Sequence, residues 1–276
     1  MERMPVPTVT PRWLLEHLGD PDLRILDVRW SLPNGAETDA YLQGHIPRAV
    51  FCDLDSELAA PPGRGGRHPL PSPASFSTAM RAHGISRKSQ VVVCDQMTGG
   101  SARAWWLLRA SGHQAVSVLD GGVDGYVPSG GVLTTAIEEP APGDFQATGF
   151  SGWLTAEQIA SGEGPRRLIL DGRARDRFRG EPNSLDPRPG HMPQARSLPW
   201  TELYREGWIR SRAEVRQLLA ASGYQGQPLL TYCGSGVTSA AMLLAFATAG
   251  IDDGQLYPGS WSEWAQDHDR PVEIDS

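Results

Sequence analysis

The sequence contains one long internal repeat, and this repeat constrains the fold more than any other feature. Four segments of the first half recur in the same order in the second half. The matched pairs are residues 25–29 with 169–173, 44–47 with 190–193, 91–95 with 229–233, and 119–122 with 257–260. The repeats of solenoid proteins are much shorter, at about 20–50 residues. The chain is therefore expected to form two tandem globular domains built on one duplicated plan.

The boundary between the two halves is expected at an acidic, proline-rich segment, residues 138–144, which shows no hydrophobic periodicity. We therefore predict domains over residues 1–140 and 150–276. The total length of 276 residues also suits two domains of ordinary size.

Each half alternates short apolar runs with helical patterns. Buried strands are predicted at residues 23–28, 91–94, 168–171 and 229–232. Helices are predicted at residues 11–18, 75–83, 101–110, 212–221 and 237–249. This alternation indicates α/β domains, each with a small, mainly parallel sheet flanked by helices. Such sheets bind ligands beyond the carboxyl ends of their strands, which directs attention to the residues after Cys94 and Tyr232.

Composition and charge argue against several classes of protein. The chain has 25 Lys and Arg against 32 Asp and Glu, and the resulting net charge of −7 argues against nucleic-acid binding. Because no apolar run approaches the roughly 20 residues of a membrane span and no signal peptide is evident, we expect a cytoplasmic protein without membrane association. The cysteines, Cys52, Cys94 and Cys233, are too few for a disulfide scaffold and fit a reducing compartment.

The segment after the last predicted strand is the strongest candidate for chemistry. Cys233 is followed by small residues and then by an apolar helix. The residues that follow it are Gly234, Ser235, Gly236, Val237, Thr238 and Ser239. Glycines allow several N–H groups to point inward, and a helix N-terminus adds positive potential. Both effects should stabilise a negative charge on the Cys233 sulfur and so lower the pKa of the Cys233 thiol. The alternative is an inert core thiol, which we predict for Cys52 and Cys94.

The absence of basic residues from this loop restricts its chemistry. A cysteine phosphatase needs an arginine there to hold a phosphate dianion, so phosphatase activity is a weak alternative. A neutral loop suits a smaller anion with one charge, such as a persulfide that carries a sulfane sulfur. No Cys and His pair has zinc-ligand spacing, and no glycine-rich dinucleotide motif follows a strand. We therefore expect no metal and no cofactor other than the covalent persulfide.

Together, these motifs resemble those of tandem-domain sulfurtransferases of the rhodanese superfamily, and the resemblance covers essentially the whole chain. The segments that carry it are residues 26–29, 44–47, 170–173, 177–180, 190–193 and 233–238. A Cys-Gly-Ser-Gly-Val-Thr loop is typical of the 3-mercaptopyruvate sulfurtransferases within that superfamily. The resemblance implies two rhodanese-like domains, of which the first is non-catalytic because Asp95 occupies the position of the nucleophile.

The resemblance also implies roles for residues outside the loop. Arg177, in an Arg-Phe-x-Gly motif, and Arg188, in a Pro-Arg pair, are expected to bind the substrate carboxylate. A planar guanidinium matches a carboxylate with two hydrogen bonds, which gives this expectation its physical reason. A constellation of Asp55, His68 and Ser235 is expected to polarise the substrate, with the carboxylate orienting the imidazole.

Two features of the repeat separate functional from structural histidines. The first half contains a Gly- and Pro-rich insertion, residues 60–69, which carries His68. Insertions in ordered domains are often functional. By contrast, His45 and His191 recur in both halves, one of which lacks the cysteine, so we expect them to stabilise turns.

The expected activity is transfer of a sulfane sulfur from 3-mercaptopyruvate, through a Cys233 persulfide, to a thiol or cyanide acceptor, with release of pyruvate. A thioredoxin-like reductant is a candidate acceptor. Two alternatives stay open, namely thiosulfate as the donor and a sulfur- or partner-binding module without turnover. The neutral loop favours mercaptopyruvate, because the thiosulfate dianion gains more from a basic loop.

Overall fold

The computed structural model of the chain describes residues 6–162 and 164–275. These residues form two compact units. The first comprises the chain up to Ala60, Pro71–Ser151 and Glu206–Ile209, and the second comprises Pro61–Leu70, Gly152–Arg205 and the chain from Arg210 onward. The segment Pro61–Leu70, which carries His68, therefore packs with the second unit although it lies in the first half of the sequence.

The first part of the chain alternates strands and helices. Its elements are β1 (Thr8–Val9), α1 (Pro11–His17), β2 (Leu23–Asp27), β3 (Trp30–Ser31), β4 (Gly35–Ala36), α2 (Thr38–Gln43), β5 (Ala49–Phe51), α3 (Leu54–Glu57), α4 (Pro73–Ala82), β6 (Gln90–Cys94), α5 (Gly100–Ala110), β7 (Val116–Leu119) and α6 (Gly122–Tyr126). Within the described residues, strands β1-β7-β6-β2-β5 pair in that order as a parallel sheet.

The later part of the chain follows the same plan in shorter form. Its elements are α7 (Ala156–Ala160), β8 (Leu168–Asp171), α8 (Arg175–Arg179), β9 (Arg196–Ser197), a 3₁₀ helix (Trp200–Leu203), β10 (Tyr204–Arg205), β11 (Trp208–Ile209), α9 (Arg212–Ala221), β12 (Leu229–Tyr232), α10 (Thr238–Thr248), β13 (Gln255–Leu256) and α11 (Ser260–Trp264). In this described stretch, β13-β12-β8-β9 form a second parallel sheet. The α/β prediction is confirmed, and the predicted strands agree with β2, β6, β8 and β12 to within one residue.

Helix α10 is buried on all sides, because its residues are apolar or small all round. It follows the loop that begins at Cys233, so its packing holds one end of that loop in place. Strand β12, whose residues are all buried, holds the other end. Neither α10 nor any other helix in the described ranges is long and apolar enough to cross a membrane.

The repeated histidines support turns, as their recurrence predicted. The ring of His45 stacks on Tyr41 with centroids 4.0 Å apart, and the ring of His191 stacks on Phe178 at 3.7 Å. Nδ1 of His45 lies 2.9 Å from the Tyr41 carbonyl oxygen, and Nδ1 of His191 lies 2.8 Å from that of Phe178. Both rings are buried, which confirms their structural role.

Candidate active site

Cys233 lies at the carboxyl end of β12, an inner strand of the second sheet. The following loop turns sharply into α10. Gly236 has a φ of +80°, a left-handed backbone conformation that favours glycine, and a Cβ there would lie 2.3 Å from the Pro258 carbonyl oxygen. The glycine therefore permits the tight turn, and the cysteine sits at the edge of the sheet where ligands bind in α/β folds.

Hydrogen bonds fix the loop against α11. The N–H of Cys233 donates to Ser260 Oγ at 3.1 Å. The carbonyls of Cys233 and the next residue accept from the N–H groups of Trp261 and Ser262, each at 2.9 Å. The N–H of Gly236 points back to the Cys233 sulfur, 3.2 Å away. The sulfur is therefore held by the main chain at the centre of the turn.

The pKa of Cys233 is lowered although its side chain is only 2% exposed. Burial opposes ionisation, but hydrogen bonds from the hydroxyls of Ser239 and Thr238, together with N–H groups of the loop, outweigh it. Burial raises the pKa of the other two cysteines well above the usual value. Cys233 therefore differs from them in the property that a sulfur nucleophile needs.

His68 contacts the loop directly. Its Nδ1 lies 2.8 Å from the hydroxyl oxygen of Ser235, and both side chains are buried. The segment Pro61–Leu70 brings His68 into the second unit. Asp55 lies in the first unit, where its carboxylate accepts hydrogen bonds from the indole N–H of Trp30 at 3.1 and 3.2 Å. The His68 and Ser235 pair is thus formed, whereas the pairing of Asp55 with His68 stays a prediction.

Arg177 lies beside the nucleophile. Its Nη2 is 3.1 Å from the point that a Cβ on Gly234 would occupy, so the absence of a side chain there leaves room for the guanidinium. Arg177 also forms a two-pronged ion pair with Asp186, at 2.9 and 2.5 Å. Arg173 contacts the same carboxylate at 3.2 Å. The carboxylate of Asp186 therefore orients Arg177 and offsets part of its charge.

Arg67 is a second guanidinium at this position, and it was not among the residues that the sequence pointed to. Its Nη2 lies 2.6 Å from the same hypothetical Cβ on Gly234. Its Nη1 donates to the Leu185 carbonyl at 2.6 Å, and its Nε is buried without a partner among the described residues. Burial and the nearby charge of Arg177 lower the pKa of Arg67. The sequence signal that points to Arg67 is its position directly before His68 in the insertion.

The guanidinium of Arg188 contacts a different part of the second unit. Its Nη2 donates to the carbonyls of Asp267 and Arg270, at 2.9 and 2.6 Å. Its own carbonyl accepts from the indole N–H of Trp261 at 3.0 Å. These contacts hold the turn after α11, and the expected contact of Arg188 with a substrate carboxylate stays a prediction.

In the corresponding loop of the first unit, an aspartate side chain occupies the ring of main-chain N–H groups. Asp95 follows β6, and its carboxylate accepts hydrogen bonds from the N–H groups of Met97, Gly99 and Ser101 at 2.8, 3.0 and 3.1 Å. The carboxylate thus lies in a ring of N–H groups at the position equivalent to the sulfur of Cys233. A carboxylate in this place has no sulfur with which to form a persulfide.

Three potential metal ligands also come together in the first unit, which the sequence did not predict. The donor atoms of Cys52, Glu57 and His83 lie within 4.8 Å of one another. The carboxylate of Glu57 accepts from the Asp53 N–H at 2.9 Å and lies 2.9 Å from Nε2 of His83. Hydrogen bonds of Glu57 with its neighbours account for the arrangement as a partly buried polar cluster.

Comparisons with known proteins agree with this geometry. The model of the rhodanese-like domain matches residues 10–128 and 154–267. The 3-mercaptopyruvate sulfurtransferase of Escherichia coli is 38% identical over 95% of both chains. A thiosulfate sulfurtransferase of Bos taurus is 34% identical over 93% of this chain and 91% of its own.

Among solved structures, the crystal structure of SseA from Escherichia coli, a 3-mercaptopyruvate sulfotransferase with the rhodanese fold, superposes with a TM-score of 0.81 at 36% identity. The match covers 94% of this chain and 100% of that one. In this chain the first copy of the domain carries an aspartate after the equivalent strand, and the second copy carries a cysteine. The chain belongs to the rhodanese superfamily, as a sulfurtransferase with two tandem rhodanese-like domains.

Proposed function

We propose that the protein transfers a sulfane sulfur from 3-mercaptopyruvate to a thiol or cyanide acceptor through a persulfide on Cys233, releasing pyruvate. The observation that carries the proposal is the buried Cys233 sulfur at the carboxyl end of β12, with the Gly236 N–H 3.2 Å away in a loop that lowers the pKa of the thiol. This environment stabilises one negative charge on sulfur, first as the thiolate and then as the persulfide. Similarity to the 3-mercaptopyruvate sulfurtransferase of Escherichia coli supports this donor.

In the first half-reaction, the Cys233 thiolate attacks the sulfur of mercaptopyruvate. A sulfur–sulfur bond forms and the carbon–sulfur bond breaks, so that the electron pair passes to the carbon as the enolate of pyruvate. The thiol proton of the donor ends on that carbon, which gives pyruvate. His68, paired with Ser235, is suited to hold the proton between these two steps.

In the second half-reaction, the acceptor attacks the outer sulfur of the persulfide. Cyanide leaves as thiocyanate, and a thiolate leaves as a persulfide of its own. In each case the electron pair of the sulfur–sulfur bond returns to Cys233, which regenerates the thiolate. We include a thioredoxin-like reductant among the acceptors.

Arg177 and Arg67 are the proposed partners of the donor carboxylate. Both guanidinium groups lie beside Gly234, next to the nucleophile. Two charges outside the neutral loop can hold a carboxylate while leaving the sulfur free to react. Arg188 is a third candidate, and its guanidinium also donates to main-chain carbonyls.

Thiosulfate is the second candidate donor. The same two guanidinium groups suit a dianion, and the Bos taurus relative is named for thiosulfate. Steady-state kinetics with both donors decide between them. We expect a higher kcat/KM with mercaptopyruvate, and a tenfold preference for thiosulfate would overturn the donor while leaving the persulfide in place.

The mechanism itself is tested by intact mass. Treatment with donor should add the mass of one sulfur atom to the protein, and cyanide should remove it. Cys233→Ser should abolish both the mass change and turnover, whereas Cys52→Ser serves as a matched control. Transfer at the parent rate by Cys233→Ser would refute the nucleophile, and the absence of multiple turnovers in the parent would favour a binding module.

We propose a non-catalytic domain over residues 1–140, with Asp95 in place of the nucleophile, and a catalytic domain over residues 150–276. The substrates are small molecules rather than nucleic acid, the reaction uses no cofactor beyond the persulfide, and the protein works in the cytoplasm. The unpaired cysteines fit a reducing compartment.

A further inference from the structure

Ser262 contacts both the loop that follows Cys233 and the insertion that carries Arg67. It is the third residue of α11, and only 1% of its surface is exposed. Its main-chain N–H donates to the Gly234 carbonyl at 2.9 Å. Its hydroxyl oxygen accepts from the main-chain N–H of Arg67 at 3.0 Å. One buried residue therefore joins the nucleophile loop to the insertion, and the second of these contacts depends on its side chain.

The residues before Arg67 pack closely on the same hydroxyl. A Cβ on Gly66 would lie 2.7 Å from Ser262 Oγ and 2.7 Å from the Gly259 carbonyl oxygen, so a larger residue would collide with both. The N–H groups of Gly63 and Gly66 each donate to the carbonyl of the other at 3.0 Å, which closes a tight turn. The Ser262 hydroxyl in turn donates to the Gly259 carbonyl at 3.1 Å. The Ser262 oxygen thus lies between this turn and the start of α11.

The side chain of Arg67 has few contacts of its own that could fix its position. Its Nη1 donates to the Leu185 carbonyl at 2.6 Å, and its Nε has no partner among the described residues. Arg177, by contrast, is held by two hydrogen bonds to the carboxylate of Asp186. The place of the Arg67 guanidinium beside Gly234 therefore depends on where the main chain of Arg67 is anchored.

We propose that Ser262 is a positioning residue of the carboxylate site, in which its hydroxyl anchors the main chain of Arg67 so that the guanidinium reaches the space beside Gly234. This inference rests on the proposed role of Arg67 in binding the substrate carboxylate. A misplacement of about 1 Å can cost roughly a hundredfold in rate, so an anchor can govern recognition without touching the substrate.

The two contacts of Ser262 can be separated experimentally, because only one of them uses the side chain. Ser262→Ala removes the acceptor for the Arg67 N–H and leaves the main-chain bond to Gly234 in place. We therefore expect the recognition of a carboxylate at Cys233 to weaken while the Cys233 thiol keeps its reactivity. Loss of a residue that only stabilised the loop would change both properties together.

The test compares alkylation of Cys233 by iodoacetate, which carries a carboxylate, with alkylation by iodoacetamide, which does not. Both rates are followed on the Cys233 peptide by mass spectrometry. A neutral hydrogen bond is worth roughly two- to tenfold in an equilibrium, so Ser262→Ala should lower the ratio of the two rates about threefold at an unchanged iodoacetamide rate. Ser222→Ala removes a hydroxyl that donates to the Leu218 carbonyl at 3.0 Å near the end of α9, and it should leave the ratio unchanged.

A double-mutant cycle shows whether Ser262 acts through Arg67. In Arg67→Gln the guanidinium is absent, so the addition of Ser262→Ala should lower the ratio no further. A second threefold fall in that background would overturn the proposal, because Ser262 would then act independently of Arg67.

Two other results would overturn the proposal, namely an unchanged ratio in Ser262→Ala and an equal loss of both alkylation rates. A lower ratio in Arg67→Gln without one in Ser262→Ala would refute the anchor alone and leave the carboxylate contact of Arg67 standing. Alkylation needs no sulfur donor, so failure of the mercaptopyruvate reaction would be seen separately.

Discussion

Replacing Arg67 with glutamine should weaken the recognition of carboxylate-bearing reagents at Cys233. Arg67 and Arg177 both reach the space beside Gly234. Arg177 shares its charge with Asp186, whose side chain is 2% exposed. Arg67 forms no ion pair with a carboxylate in the described part of the chain, and its guanidinium has a carbonyl oxygen as its partner. Its positive charge is therefore the less compensated of the two.

The size of the effect follows from the kind of contact that is lost. A hydrogen bond between charged groups contributes about 1.5–3 kcal/mol, and partial solvent exposure of Arg67 places the expected value at the lower end. We therefore expect kcat/KM for mercaptopyruvate to fall about tenfold, which corresponds to about 1.4 kcal/mol. Arg67→Lys should lose less, because it keeps the charge but not the planar fork.

Alkylation separates this role from any change in the thiol itself. Iodoacetate carries a carboxylate and iodoacetamide does not, so the ratio of their rates at Cys233 cancels any shift of the thiol pKa. Arg67→Gln should lower that ratio severalfold. Arg64→Gln changes the net charge equally in an exposed part of the same insertion and should leave the ratio unchanged. A ratio in Arg67→Gln equal to that of the parent would refute the carboxylate contact.

Three other perturbations test the loop and its pair. Gly236→Ala should lower the free energy of unfolding, measured in urea, by about 2 kcal/mol or more, because a left-handed alanine costs about 1–2 kcal/mol and its Cβ would also meet the Pro258 carbonyl. Gly226 is also left-handed but lies in open space, so Gly226→Ala should cost only the roughly 1–2 kcal/mol of the backbone conformation. His68→Ala should lower turnover with mercaptopyruvate while Cys233 stays reactive to iodoacetamide, and equal loss of both would point to a collapsed loop. Since a lowered pKa means that the thiolate persists until the pH falls through that lower value, alkylation of native Cys233 should be half-maximal at a lower pH than in the urea-unfolded chain.

The sequence was sufficient to predict elements whose signals are local. The strand at residues 168–171 is a short apolar run, and the structure has the same bounds. Helix α4 was predicted to begin at residue 75 but begins at Pro73, because Ser72 is its N-cap and the Ser72 hydroxyl accepts from the Ser75 N–H. The Ser-Pro pair at residues 72–73 is a local signal for this helix start.

The parts of the site that the sequence did not predict depend on contacts between distant segments. Arg67 reaches Gly234 because its segment packs with the second unit, and no pattern within residues 60–69 specifies that packing. Arg188 and Arg177 look alike as arginines of one loop, yet their neighbours differ. Asp186 draws Arg177 toward the nucleophile, while carbonyl oxygens after α11 hold Arg188. A resemblance of motifs assigns both to the substrate, and the surrounding contacts distinguish them.

The filled loop of the first unit gives the molecule an internal reference. The carboxylate of Asp95 is a resident anion that never leaves its ring of N–H groups, so those amides should exchange with solvent at a rate independent of the chemistry. In the second unit the anion is the sulfur itself, and its charge and size change during each cycle. Hydrogen exchange at residues 96–101 and 234–239 can be measured in one sample. The ratio of the two rates would report how much the thiolate and the persulfide each protect the amides of the catalytic loop, because temperature and solvent affect both loops alike.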